Sequence, residues 1–410
     1  MTDTLNLDRV RAHFPGLARG WTLFDNAGGS QILRGAVERM TEFLYEKNVQ
    51  IGGSYAVSQA AAEALAAGRA AAATLVNAAR PEEIVFGPST TVLLQNLARA
   101  MRSQLSPGDE IVVTMADHES NIGPWMALRE FGIVVKVWPL DRNSFTLKLD
   151  DLAPLMTDRT RLVCVTHVSN ILGQVHPVAE IARFVHDHGA RLCVDAVAYA
   201  PHRAIDVQAW DVDYYVFSLY KTYGPHYAVM YGKHAHLLEL DTLYHYFYGK
   251  DRVPGKLEPG NPSYECAYSV LGIRDYLAEL GGAAGPVRAR IEAGFRAITA
   301  QEDALVARLL GWLGQRNDVR VIGPARNEGS TRIPTIAFRF PGRDSAALAR
   351  AMDDHRIAIR HGDFHARRLV ESLDEMDDGG LLRVSMVHYN TLDEVDRLCA
   401  AFDEILRKAA

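Results

Sequence analysis

The chain has 410 residues, 48% of them hydrophobic and 23% charged, with a formal net charge of −6. That length buries a large core and suits two domains, and the composition is that of an ordinary globular protein without disordered or fibrous bias. The acidic balance without a basic block excludes the electrostatic footprint of a nucleic-acid binder, and no run of 18 apolar residues offers a membrane span.

The start, MTDTLNLDRVRAHFPGL, has no signal-peptide pattern and predicts a short helix and loop over 6–20. Trp21–Ser30 reads as a short strand ending in a glycine turn. Residues 34–48 have helical periodicity, with Val37, Met40, Phe43 and Leu44 on one stripe. An alanine-rich helix is expected over 58–79. Strands are then expected at Ile84–Phe86, Glu110–Met115, Ile133–Leu140, Arg161–His167, Arg191–Asp195 and Tyr214–Phe217. Helices are expected between them at about 92–104, 121–131, 149–156 and 178–189. Alternating strands and helices, with strand cores such as LVCVTH apolar throughout, point to a mainly parallel sheet covered on both faces. Past residue 284 the pattern changes. A long helix (286–316), strands Val319–Gly323 and Arg332–Phe340, a helix (344–354), strands Arg356–Arg360 and Leu381–Ser385, and a helix (391–409) predict a smaller α+β domain. The domains expected are therefore 21–285 and 286–410, with 1–20 packing on the smaller one.

Several expected strands end on polar side chains, which is where open α/β sheets bind ligands. Lys221 follows Tyr214–Ser218 and precedes the turn Tyr223-Gly224-Pro225. Desolvation at such a place lowers a lysine pKa and suits it to a Schiff base, although a snorkelling surface lysine fits the same residues. Gly87-Pro88-Ser89-Thr90-Thr91 before a helix can cradle a phosphate, or simply cap the helix. His118 after EIVVTM can stack on a cofactor ring or be an exposed neighbour of a capping Asp117. Asn170 after LVCVTHVS can bond a ligand oxygen or serve a turn. Asp195 closes ARLCVD, where a carboxylate is costly unless paired; a pyridinium nitrogen would pair it. Phosphate loop, stacking histidine, asparagine, aspartate and lysine, in that order, are the parts pyridoxal phosphate requires.

From Phe24 to Leu398 the chain resembles the class V aminotransferase and cysteine desulfurase family of fold type I pyridoxal-phosphate enzymes. The resemblance rests on Asn26-Ala27-Gly28, Ser89-Thr90-Thr91, Asp117–Asn121 with Pro124-Trp125, HVSNILG (167–173), VDAVA (194–198), FSLYKTYGP (217–225), EPGNP (258–262) and LRVSMVHYNTLDEVDRL (382–398). It implies a large domain with a mainly parallel seven-stranded sheet, a small C-terminal domain, and a homodimer. It implies that Lys221 carries the cofactor, that Asp195 pairs with the ring nitrogen, and that His118 stacks on the ring. Asn170 then lies near the ring oxygen or the substrate, and Ser218 with Thr90 and Thr91, beside Ser89, holds the phosphate. Asn261 reaches a phosphate across the dimer interface, and Asn26 and Ala27 border the substrate, while Tyr220 beside the lysine can act as an acid/base or simply cover the cofactor. Arg383 falls where the family binds a substrate carboxylate; a structural ion pair is the alternative.

The departures bear on the reaction. Desulfurases carry a nucleophilic cysteine on a mobile loop; the corresponding stretch here is Arg360-His361-Gly362-Asp363-Phe364-His365-Ala366, with His365 at the cysteine's place. The four cysteines, Cys164, Cys193, Cys266 and Cys399, lie elsewhere, lack CxxC spacing, and read as reduced thiols of a cytoplasmic protein. Tyr220 replaces a usual histidine and Ala198 a usual glutamine. The expectation is Cα chemistry on a small amino acid, either β-elimination by a lyase or aminotransferase chemistry, without a persulfide. Epimerisation on the same fold and a non-catalytic binding protein stay open. His361, Asp363 and His365 alternate as a metal triad would, but Gly362 and the loop setting argue against rigid ligation, so no metal is expected. His365 is instead expected to contact substrate at the mouth of the site.

Overall fold

The computed structural model describes residues 5–243, 245–327 and 331–408. Its strands are β1 (Thr22–Leu23), β2 (Ile84–Gly87), β3 (Glu110–Thr114), β4 (Val134–Trp138), β5 (Thr160–Thr166), β6 (Arg191–Asp195), β7 (Tyr214–Ser218), β8 (Ala228–Gly232), β9 (Arg320–Ile322), β10 (Thr335–Arg339), β11 (Ile357–Ala358), β12 (Arg360–Gly362) and β13 (Leu381–Ser385). A seven-stranded sheet has the order β2-β8-β7-β6-β5-β3-β4. Strands β7, β6, β5, β3 and β4 are parallel neighbours, and β8 runs antiparallel to both β7 and β2. The chain between Ser218 and Ala228 is shorter than the dozen or so residues a parallel crossover takes, so β8 returns beside β7 as an antiparallel strand.

Alternation along these strands divides the core into two layers. Val163, Val165, Leu192, Val194, Tyr215 and Phe217 pack on one face, while Leu162, Cys164, Cys193, Tyr214 and Val216 pack on the other. Because both faces are covered, the strands read as continuous apolar runs. The carboxyl ends of β2, β3, β5, β6 and β7 consequently meet along one edge, and the polar residues that follow them are brought together there.

After helix Val270–Leu280 and the long helix Val287–Gly314, a four-stranded antiparallel sheet forms in the order β12-β13-β10-β9. Strand β1 pairs in parallel with β11, and Arg11 donates to Tyr389 O at 2.7 Å, which ties the first helix (Leu7–Ala12) to this region. The expected single strand over 356–360 is divided. Ile357–Ala358 joins β1, while Arg360–Gly362 joins β13, because the two pairs draw their hydrogen bonds from different neighbours. The helix Arg34–Glu46 also faces differently from expectation: Ala36 and Phe43 are buried, whereas Val37 and Leu44 are 41% and 46% exposed. Gly173 has φ +68°, and an added Cβ would sit 2.3 Å from Thr335 O, so the loop carrying Asn170 can lie against β10 only without a side chain there.

Candidate active site

At the shared edge a cavity is lined by Ser89, Thr90, Thr91, His118, Asn170, Asp195, Ser218, Tyr220 and Lys221. All nine were singled out in the sequence. Ser120, Thr166, Val168, Val197 and Ala198 complete its wall. Of these, Ser120 had a signal, two residues beyond His118, that sequence reasoning left unused.

Helix Thr90–Met101 starts at this cavity, with Ser89 Oγ accepting from Val92 N at 3.2 Å. Thr90 Oγ1 and Ser218 Oγ are 2.7 Å apart. Two hydroxyls beside a helix N-terminus are the donors a phosphate needs.

Asp195 is buried at the end of β6, and its Oδ1 accepts from Val197 N at 2.9 Å. Burial pushes its pKa up, against the opposing pull of that hydrogen bond and of the Lys221 ammonium. Lys221 keeps accessible surface, and it borders the cavity. Desolvation lowers its pKa to about 8, with the charge of Arg383 adding to the effect and Asp195 and Asp25 opposing it. Tyr220 stacks on His226, centroids 4.6 Å apart, and burial raises its phenol pKa, so it stays protonated.

His118 Nδ1 lies 2.8 Å from Ser120 Oγ and accepts the Ser120 backbone N–H at 3.1 Å. A backbone donor at Nδ1 leaves the proton on Nε2. Burial first, then the charges of Lys221, His365 and Arg383, lower the ring's pKa to about 3, so it is neutral at physiological pH. Asp117, read from sequence as a possible cap, is instead fully buried. It accepts from Thr114 Oγ1 and from Asn121 Nδ2 at 2.8 Å, and burial pushes its pKa well up.

The remaining residues are less simply placed. Asn170 Nδ2 donates to Phe364 O at 3.0 Å, and its Oδ1 is buried without a partner among the described residues. Arg383 is buried: Nη2 donates to Asp25 Oδ1 at 3.0 Å, Nη1 to Asn170 O at 3.2 Å, its guanidinium lies 4.1 Å from the Phe364 ring centroid, and Nε has no partner among the described residues. Both sequence readings of Arg383 thus have support, since it is ion-paired yet keeps a buried free donor. Its cross-strand partner is Arg360, and Asp25 Oδ2 meets Arg360 Nη2 at 2.8 Å. Two like charges opposite each other destabilise a sheet, so Asp25 is the residue that makes this register tolerable. Sequence reasoning passed over Asp25, although it stands directly before Asn26-Ala27-Gly28.

Asn26 and Ala27, expected to border the substrate, turn their polar groups to the protein itself. Asn26 Nδ2 donates to Leu23 O and Ser385 O at 2.9 Å, its Oδ1 accepts from Tyr389 OH, and Ala27 N donates to Ser385 Oγ at 2.8 Å. Their polar groups are used to join the N-terminal segment to β13. Asn261 does not line the cavity. His365 lies beside His118, ring centroids 5.5 Å apart, at the cavity's outer side. Among the described residues, no group of three or more His, Cys, Asp or Glu is placed to hold a metal.

A family model for class V aminotransferases matches residues 22–398. The chain belongs to that family. It is 39% identical to "Aminotransferase-like protein FGM3" of Gibberella zeae, covering 99% of this chain and all of that one. It is 36% identical to "Cysteine desulfurase-like protein ustD" of Aspergillus flavus, covering 100% and 92% of the two. Among solved structures, the cysteine desulfurase CsdA of Escherichia coli superposes with a TM-score of 0.84 at 27% identity, over 98% of this chain and 99% of that one.

As a class V family member the chain is a pyridoxal-phosphate enzyme. The residues present fit that cofactor. A buried carboxylate in want of a positive partner, a phosphate cradle, a neutral flat ring, a half-buried lysine and an orphaned buried amide oxygen all face one cavity.

Proposed function

We propose that the chain acts at Cα of an amino acid, by β-elimination as a lyase or by transamination, without a persulfide-forming cysteine. The observation that carries this reading is Lys221, half-buried just past the carboxyl end of β7 with its pKa lowered to about 8. Pyridoxal phosphate, when bound, supplies an electron sink for charge developing at Cα. Lys221 is the residue to hold it, and near neutral pH its amine is a competent base for the Cα proton. Asp195 keeps a proton on the heterocyclic nitrogen by providing a buried negative charge. Neutral His118 covers the ring without adding charge, and Tyr220 closes the side of Lys221. Ser218, Thr90, Thr91 and the helix start at Ser89 hold the phosphate. Arg383 takes the substrate carboxylate if Asp25 leaves it for Arg360, to which Asp25 is already bonded.

None of the four cysteines lines the cavity, and Cys164, Cys193 and Cys399 are buried. A side-chain thiol is therefore not at hand to attack a substrate sulfur, and His365 stands nearby instead. That supports elimination or transamination over desulfuration. We assign Asn261 to the site of a second copy in a homodimer, and place the enzyme in the cytoplasm; no helix among the described residues is long and apolar enough to cross a membrane. We also read residues 21–285 as the cofactor domain and 286–410 as the smaller domain.

Borohydride reduction of the yellow holoprotein, followed by peptide mapping, is expected to find the cofactor mass on Lys221. An unmodified Lys221 overturns the assignment. With amino acids supplied one at a time, ammonia and an α-keto acid mark elimination, whereas conversion of the cofactor to its amine form marks transamination.

A further inference from the structure

A second cavity, of ≈ 580 Å³, opens beside the cofactor cleft, which itself has ≈ 80 Å³. The two share Thr91, His118 and Ser120. The larger one falls in the size range of small-molecule pockets, while the smaller leaves little room for anything beyond a cofactor and the Cα region of a substrate.

The lining of the larger cavity is selective. Its floor is apolar, with Ala98, Pro124 and Leu128 buried and Phe131 41% exposed. The Arg102 guanidinium covers Phe131 at 3.6 Å, and Arg99, in the last turn of helix Thr90–Met101, is exposed at the rim. Glu119, the acidic residue of the lining, is already held by Arg368 at 2.9 and 3.0 Å. The charge left to meet a ligand is therefore positive.

His365 stands at the junction of the two cavities and is fastened to the wall of the larger one. Its carbonyl accepts Glu119 N–H at 2.8 Å, and its own N–H donates to Asp363 Oδ1 at 3.0 Å. Phe364 and His365 both adopt positive φ, 52° and 58°, a conformation that non-glycine residues keep only where their surroundings impose it.

We propose that this cavity is a substrate subsite. It receives the part of the amino acid beyond Cβ, an apolar group of about ring size with a negative charge at its far end, which passes His365 on the way from Cα. The inference rests on the cofactor cleft being the one that holds Lys221, and it extends the substrate beyond the small amino acid that the sequence alone suggests.

The test uses the holoenzyme and a probe that lacks an amine and cannot react with the cofactor, 3-phenylpropionate, titrated by calorimetry. The expected dissociation constant is about 0.1–1 mM, with phenyltrimethylammonium at least about tenfold weaker. Ala127→Trp, which fills the exposed floor, and Arg99→Glu, which reverses the rim charge, are each expected to weaken the probe about tenfold or more while the cofactor absorbance band stays as in the wild type. Equal binding of the anion and the cation, or no response to either substitution, overturns the proposal. So does an absence of heat accompanied by a lower mass of Ala127→Trp in light scattering, which marks the cavity as covered by a second copy. Failure of Lys221 to carry the cofactor is read separately, by borohydride labelling, so the two readings fall independently.

Discussion

The carboxyl edge of the seven-stranded sheet and the loop from Asp363 to Ala366 face the same cleft but are built in different ways. At the edge, Asp195 and Ser218 end strands whose backbones are fixed by hydrogen bonds on both sides and whose side chains are buried. The loop is held by a few contacts, His365 to Glu119 and Asp363 and Phe364 to Asn170, and two of its residues have positive φ. Chemistry common to a cofactor benefits from the rigid element, because small displacements there are expensive for catalysis. A choice among reactions that share one carbanion can be made by a loop, since it changes what meets the substrate without disturbing the cofactor.

The sharpest way to break the comparison is Lys221→Ala. Turnover should fall by about 10³-fold or more while the circular dichroism spectrum is retained, and normal turnover would remove the edge from the mechanism. Asp195→Asn keeps the shape but removes the negative charge; a loss of about 10²-fold is expected, with a shifted cofactor absorbance band. An unchanged band and rate would mean that Asp195 does not face the ring. His365→Ala should change the rate or the substrate preference by about tenfold while the cofactor band stays in place. A bleached band would show that the loop belongs functionally to the edge, and the contrast between the two would collapse.

The smallest effect is on stability. Lys221 has a pKa of about 8 in the fold, below its ordinary value of 10.5. The unfolded chain then binds more protons between these two values, so the cofactor-free protein should gain stability as pH rises from about 8 toward 10.5. The gain is about 2 kcal/mol, reduced from the full shift because Lys221 borders the cavity. Urea titrations across that range should show the rise in the wild type and a flatter profile in Lys221→Met. A wild-type profile already flat would mean that Lys221 is not desolvated.

Residues whose position follows from a strand end were legible in sequence. Lys221, Asp195, Asn170, His118 and Ser89–Thr91 each follow an apolar run, and parallel strands bring such ends to one edge. Less legible was everything decided by pairing across the chain. The amide of Asn26 is spent on Leu23, Ser385 and Tyr389, more than 350 residues away in the last two cases, and no local pattern announces that. Asp25 acquires its meaning only when β12 and β13 set Arg360 opposite Arg383. Helix Arg34–Glu46 turned a face other than the expected one because its neighbours, not its own periodicity, decide which side is covered.

The sequence by itself determined the alternation of strands and helices, the family, the cofactor and the place of Lys221 just past a strand end, because those depend on local order and on apolar runs that the chain displays directly. Only the tertiary structure decided that Arg383 is shared with Asp25, that His365 is fastened beside His118, and that a large cavity with an apolar floor and a basic rim lies next to a small one. Those features are distances between segments far apart in the chain, and they come into being only when the strand edge, the antiparallel sheet and the loop are packed against one another.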